Sequence, residues 1–205
     1  MPRLVVIAPP DPKSVLSTAE AKAHLRVVGA GDDGLIEQLV AAAFGQIDGP
    51  EGWLGRALAT QTIELRQDGF PRGDAIYLPC EPTRSIVSVT YVDREGAEQE
   101  IPGADYRLIG SEAVCGRRQR WPQAYDEPES VRVRYVAGHD PAPAAAVAAL
   151  KLMLGNLYNL VGSDARLRKR VVEGVGSREW DTTGKFNETA DRAVTALLTP
   201  LRIFI

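Results

Sequence analysis

The spacing of apolar residues changes from helical to alternating and back along the chain. After a proline-rich start, "STAE" (17–20) has the form of a capping box, with Ser17 accepting from a backbone N–H of the first turn and Glu20 reaching back. This predicts a short helix through Ala23 and Leu25 that ends near the glycines of "VVGAGDDG". Asp32 or Asp33 then caps a second helix. Its Leu35, Ile36, Leu39, Val40, Ala43, Phe44 and Ile47 fall on one stripe. "DGPEG" (48–52) stops that helix, and "WLGRAL" (53–58) leads out as a further helical turn.

From Thr60 the period is two. In "TQTIELRQDGF", Ile63 and Leu65 alternate with Thr62, Glu64 and Arg66, the pattern of a strand with one wet face. "AIYLP" (75–79), "SIVSVTYVD" (85–93), "EQEIP" (98–102), "DYRLIG" (105–110) and "SVRVRYVAG" (130–138) continue it between Gly, Pro and Asp clusters. "DREG" is a hairpin turn with Gly96 placed for a positive φ. Helical spacing returns after "HDPAP". Val147, Leu150, Leu154, Leu157, Tyr158 and Val161 make one stripe, with Leu152 and Leu160 off it, so this helix is apolar on two faces. A polar loop (162–187) carries "RLRKR", and "NETADRAVTALLTPL" (187–201) is a last amphipathic helix with an Asn cap. The order of elements predicts an α+β fold: a helical bundle with a small antiparallel β-subdomain inserted between its halves. The expected division is an N-terminal arm (1–15), N-terminal helices (16–58), the inserted β-subdomain (59–138) and C-terminal helices (139–205), in one domain overall.

The 205 residues are 44% hydrophobic and 25% charged with a net charge of −3, so nothing in the balance as a whole points to nucleic acid. The start lacks the apolar run and cleavage site of a signal peptide. The stretch 141–162 is nearly long enough to span a bilayer, but Lys151 at its centre favours a helix buried in protein. Cys80 and Cys115 stand far apart in a chain with two histidines, which argues against zinc and for two half-buried free thiols in a reducing compartment.

The stretch 85–110 collects five acids and two tyrosines. Asp93 and Glu95 fall in the hairpin turn, Glu98 and Glu100 on one strand face, and Asp105 at a strand start. A solvated sheet offers neither the cleft nor the raised pKa that carboxylate chemistry needs, so these acids shape a surface. Tyr91 shares a face with Val87 and Val89 and is read as core. His24 and His139 have no nucleophile motif beside them, and phosphate loops, dinucleotide fingerprints and HExxH are absent. "GAGDDG" (29–34) joins two helices and carries aspartates that would repel phosphate. No catalytic residue, metal or cofactor is assigned. The basic clusters are Arg166, Arg168, Lys169 and Arg170 in "RLRKR", and Arg117, Arg118 and Arg120 beside Trp121. The chain ends on Leu201, Arg202, Ile203, Phe204 and Ile205, an apolar segment that either folds back on its own subunit or docks on a partner.

The ordered set "STAEAKAHLRV", "DDGLIEQLVAAAFGQI", "GRALATQTIELRQDGFP", "IYLPCEPTRSIVSVTYVDREGAEQEI", "DYRLI", "VRVRYVAGHDPAPAAAVAALKLMLGNLY" and "LLTPLRIF" resembles the head–tail connector, or adaptor, proteins of long-tailed phages and of gene transfer agents. The resemblance covers residues 16–205. It departs at the proline-rich start and at "DGPEGWLGRAL", where the family has a short aromatic-containing run before "GRAL". It implies a non-enzymatic, homo-oligomeric ring, usually a dodecamer, in the particle neck beneath the portal protein. DNA passes through such a ring, and a tail-side neck protein (stopper or tail terminator) docks below it. The particle would be assembled in the host cytoplasm, without a membrane. On that expectation 201–205 are candidates for portal binding. Arg166, Arg168, Lys169 and Arg170 are candidates for non-specific contact with DNA in the channel, and Leu152 and Leu160 for the subunit interface. The alternatives are another neck or tail-completion protein, or a small-ligand enzyme using the β-subdomain, for which no convergent polar cluster can be assembled.

Overall fold

A computed structural model describes residues 2–116, 120–162, 169–172, 176–179 and 185–203. The chain is α+β, with helices and antiparallel sheets, and divides into two compact units, each built from separate stretches of sequence. One unit takes Met1–Asp11, Asp48–Ala142 and Ile203–Ile205, and the other Pro12–Ile47 and Pro143–Arg202.

The first unit holds β1 (Arg3–Ala8), β2 (Gln61–Gln67), β3 (Ala75–Tyr77), β4 (Thr83–Val92), β5 (Glu98–Glu100), β6 (Tyr106–Ile109), β7 (Glu112–Cys115) and β8 (Val131–Ala137). They form not one sheet but two: a five-stranded sheet in the order β1-β2-β8-β4-β5 and a three-stranded sheet in the order β3-β7-β6. Residues 3–8, expected as part of an arm, are the edge strand β1, paired with β2 from Arg3 opposite Arg66 to Ala8 opposite Thr62. Strict alternation along β8 puts Val131, Val133, Tyr135 and Ala137 into one core with Ile63 and Leu65 of β2, Val89 of β4, and Ile76, Leu78 and Ala113 of the smaller sheet. Each fully buried aliphatic side chain there is worth about 1.5–3 kcal/mol. Tyr135 satisfies its buried hydroxyl by donating to the Pro79 carbonyl at 2.5 Å.

β4 departs from simple alternation. Its pairing with β8 slips between Thr83 and Ser85 and between Ile86 and Ser88. The second irregularity leaves Val87 52% exposed while Ile86 packs against the core, so Val87 does not share a face with Val89 and Tyr91 as its spacing suggested. "WLGRAL" is not helical: residues 51–55 are turns and bends, Arg56 bridges to Cys80, and Leu54, Ala57 and Leu58 are buried. The turn after β4 is as expected, with Gly96 at φ +80°. The Asp93 carboxylate accepts the N–H groups of Glu95 (3.0 Å) and Ala97 (2.8 Å) and the side-chain amide of Gln99 (2.8 Å).

The second unit holds α1 (Thr18–Leu25), α2 (Asp33–Ile47), α3 (Ala144–Gly162), the hairpin strands β9 (Lys169–Val172) and β10 (Gly176–Glu179), and α4 (Lys185–Leu198). The capping box is present: the Glu20 N–H donates to Ser17 Oγ, and the Ser17 N–H to the Glu20 carboxylate. α1 stops before the glycines, at Arg26 in the left-handed conformation. Along α2, Ile36, Val40, Ala43, Phe44 and Ile47 are buried, at helical spacing. Asp32 lies just ahead of that helix, and its side chain accepts from the Tyr158 hydroxyl of α3 at 2.7 Å. The span Ala144–Val161 of α3 is long and apolar enough by length and composition to cross a membrane; α1, α2 and α4 pack against the helix. α4 begins ahead of Asn187, so that residue lies inside the helix and is not its cap. The helix ends at Leu198, and Pro200 falls in a short 3-10 turn, Thr199–Leu201.

Candidate interaction surfaces

The expected wet face of β2 is instead an ion network. Glu64 is only 4% exposed, its residue flanked by Arg134 on β8 and by Val5 on β1. Its carboxylate accepts from Arg66 Nε at 2.8 Å and Arg134 Nη2 at 2.8 Å. Burial pushes its pKa up, but the hydrogen bonds from Arg134 and Arg66 more than offset this and hold it below the usual carboxylate value. Glu129 accepts from Arg66 at 3.1 Å and Arg3 at 3.2 Å, which ties β1 to the segment before β8. The acids and arginines match one another here, and the network serves the sheet.

A different arrangement lies where the β2–β3 loop, the β4–β5 turn and residues 120–126 meet. Phe70 and Trp121 stack at 5.2 Å between ring centroids and 5° between planes, and Tyr91 meets Phe70 edge-on at 5.6 Å. A cleft of about 400 Å³ opens beside them, lined among others by Arg72, Arg94, Arg120 and Tyr125. A second cavity of about 260 Å³ is lined by Tyr91, Ile101, Asp105 and Cys115, and the two share Arg120, Trp121 and Pro122. The Tyr125 N–H donates to the Val92 carbonyl at 2.8 Å, which fixes the segment against β4. Sequence reading took Arg120 and Trp121 as part of a basic patch and missed Phe70. The available signal was a pair of aromatic–proline steps, Phe70–Pro71 and Trp121–Pro122, in two loops. Arg117 and Arg118 lie outside the described residues.

The acids of 85–110 are spread along strands and turns, with Glu98 3.8 Å from Arg132 on the neighbouring β8. Both cysteines are free and buried, not half-buried; burial pushes the Cys80 thiol up to about 12, with the Asp48 charge adding to it. Lys169 and Arg170, expected in a loop, are on β9, opposite Glu179 and Arg178 of β10, while Arg166 and Arg168 lie outside the described residues. On α3, Ala146, Ala149, Leu150 and Leu154 are buried, Leu152 is half-buried, and Leu160 is 67% and Val161 57% exposed. At the chain end Leu201 closes the 3-10 turn, Arg202 is exposed, and the Ile203 N–H donates to the Leu54 carbonyl at 3.0 Å. Phe204 and Ile205 lie outside the described residues.

No family model and no curated protein matches the chain. Solved structures do. A chain in the neck of an empty GTA particle, computed with C6 symmetry, has a TM-score of 0.68 at 21% identity, over 99% of this chain and 96% of that one. A chain in the virion of a native gene transfer agent (GTA) particle has a TM-score of 0.68 at 20% identity, over 98% and 96%. A third, in the neck of a native GTA particle computed with C12 symmetry, has a TM-score of 0.63 at 19% identity, over 99% and 96%. At this identity the likeness is one of fold.

Proposed function

We propose that the protein is a structural subunit of the neck of a phage or gene transfer agent particle: a head–tail connector that forms a ring beneath the portal and lines part of the DNA channel. The observation that carries this reading is the end-to-end fold likeness to chains of GTA necks, over 99% of this chain and 96% of theirs. The reading assigns the chain no reaction and no cofactor. In it, the helices of 16–58 and 139–205 form a bundle and 59–138 is an insert. A tail-side neck protein docks on the ring, and the home of the protein is the virion. A closed ring needs two different surfaces on each subunit. The exposed end of α3 at Leu160, together with the half-buried Leu152 about two turns earlier on the same helix, is offered as one of them. The basic residues Arg166, Arg168, Lys169 and Arg170 are offered as sequence-independent contacts to DNA phosphates, and 201–205 as the portal contact.

The test is to mix the purified chain with a portal ring from the same particle and weigh the complex. The expected result is a complex carrying a fixed multiple of the subunit, consistent with a dodecamer. Leu160→Glu should leave the monomer's melting temperature within about 2 °C, since exposed positions rarely shift stability by more than about 0.5 kcal/mol, and should lower occupancy of the ring. A portal that never retains the wild-type chain overturns the reading.

A further inference from the structure

The five-stranded sheet has two free edges, and they differ in charge. β1 and β5 are each paired on one side only, with β2 and β4 respectively. Among the described residues, the backbone of β1 makes no hydrogen bond outside that pairing. An apolar edge is a template for another chain unless lysine, proline or shortness blunts it. β1, with the sequence RLVVIA, carries neither lysine nor proline and is apolar from Leu4 onward. Its register slips between Val6 and Ala8, which bends that end and leaves Arg3–Val6 as the regular part. β5 is the short segment EQE, exposed throughout. One row of paired residues crosses all five strands: Arg3, Arg66, Arg132, Thr90 and Glu100. That row is basic at the β1 edge and acidic at the β5 edge. Arg3 meets Glu129 at 3.2 Å and Glu98 meets Arg132 at 3.8 Å, yet their side chains are 66% and 64% exposed, so each has room for a second partner.

We propose that β5 of one copy of this chain adds to β1 of a second copy, so that the sheet runs on from subunit to subunit. Four successive antiparallel pairings give β1 and β5 the same direction. Copies joined head to tail would therefore form a parallel pair, with evenly spaced, slanted hydrogen bonds. With Arg3 opposite Glu98, Val5 falls opposite Glu100 and every residue of β5 is paired. The period of two then keeps Arg3, Glu98 and Glu100 on one face, where opposite charges on neighbouring strands attract. Other ways of covering these edges fit less well. Two β5 edges about a twofold axis, paired along their whole length, would set Glu98 against Glu100, and like charges directly opposite destabilise. Two β1 edges would bring no acid to Arg3, because β1 holds none. A contact between two different surfaces repeats from copy to copy, whereas a twofold pair ends at two. The proposal rests on the neck reading only for the closing of the ring, and it adds a contact between subunits to the one offered at Leu160.

The test mixes equal amounts of two full-chain variants, Val5→Cys and Glu100→Cys, one of them labelled with ¹⁵N. The mixture is oxidised with diamide, with and without a portal ring from the same particle. Strands about 4.8 Å apart place facing α-carbons within the range of a disulfide. Arg3 and Glu98 stay in place, and the natural Cys80 and Cys115 are buried and do not compete. The expected product is the mixed disulfide, identified by mass. It should exceed either like-with-like dimer at least about tenfold, because strand pairing raises the local thiol concentration. Adding Arg3→Glu to the first chain should lower its yield about threefold or more, and adding Glu98→Lys to the second should restore it. Both of these positions are exposed, so the charge swap keeps the fold. The proposal is overturned if the mixed disulfide exceeds the like-with-like dimers under neither condition, or if Arg3→Glu leaves its yield unchanged. A portal that retains the chain without any mixed disulfide overturns the edge pairing and leaves the neck reading standing. A mixed disulfide from a chain that the portal never retains supports the pairing and overturns the neck reading.

Discussion

Gly138 follows β8 with φ +116°, and its N–H donates to the Pro82 carbonyl at 2.9 Å. A β-carbon at this position would run into the carbonyl of Ala59, which is backbone and cannot turn aside. Strain of this class costs about 1–3 kcal/mol before any steric clash. In a chain of this size each kcal/mol moves the melting temperature by about 2–4 °C. Gly138→Ala should therefore lower the midpoint by about 5 °C or more in a thermal melt followed by circular dichroism. Gly31→Ala, where nothing lies within 4 Å, should move it by less than about 2 °C; equal effects would show that the contact with Ala59 does not matter. Asp48 is a second residue with a measurable signature. It accepts from the Leu58 N–H at 2.6 Å and from Gln61 at 2.9 Å, and burial raises its carboxyl from 3.8 to about 6. Between those values the folded chain keeps a proton that the unfolded chain has lost. The contribution of this group to stability therefore grows as pH falls through 6 and is complete below 3.8. Relative to Asp48→Asn, the wild type should lose up to about 3 kcal/mol between pH 4 and pH 7.5. Urea unfolding of both proteins at the two pH values measures this, and parallel pH dependence would refute it. Neither residue stands out in the sequence. Gly138 is one of 19 glycines. Glu64 was placed on a wet face because alternation reports which side of a strand a residue takes, not whether arginines on that side enclose it.

At the level of elements, the strongest local signals were legible. The capping box of α1, the stripe of α2 and the alternation of β8 each rest on chemistry within a few residues, and each is present. The losses have physical causes. β7 (EAVC), β9 (KRVV) and β10 (GSRE) do not alternate polar with apolar residues, so no period marks them. The bulge in β4 changes faces mid-strand, which no fixed period can follow. The end of the chain remains open to experiment at this scale. Ile203 is anchored by one backbone hydrogen bond to Leu54, while the proposed function uses residues 201–205 as a portal contact. Deleting 201–205 separates the roles. If the segment is an internal staple, the monomer should melt several degrees lower, because one or two buried side chains count for that much in a marginally stable fold. If it docks, the monomer should melt unchanged and fail to bind the portal. Losing neither stability nor portal binding would exclude both roles.

Across the whole molecule, fold class was readable and the pairing of distant segments was not. Periodicity compares a residue with its near neighbours, whereas the large sheet sets β1 beside β2 and β8 between β2 and β4. The candidate cleft was unreadable for the same reason: its arginines come from 72, 94 and 120, and only the fold brings them together.

The division of the chain also imposes a timetable on synthesis. Residues that begin the helical unit leave the ribosome early, as α1 and α2, but their partner α3 starts at Ala144, 97 residues after α2 ends at Ile47. At about 5–20 residues per second that interval is roughly 5–20 s. During it the apolar stripe of Ile36, Val40, Phe44 and Ile47 has no α3 to cover it. The strands from β2 to β8 are all made within the same interval. The strands of the sheet unit can therefore pair before the helical unit, although the first stretch of that unit, Pro12–Ile47, precedes most of them in the chain. On this timetable every strand from β1 to β8 has been made while α1 and α2 still await α3.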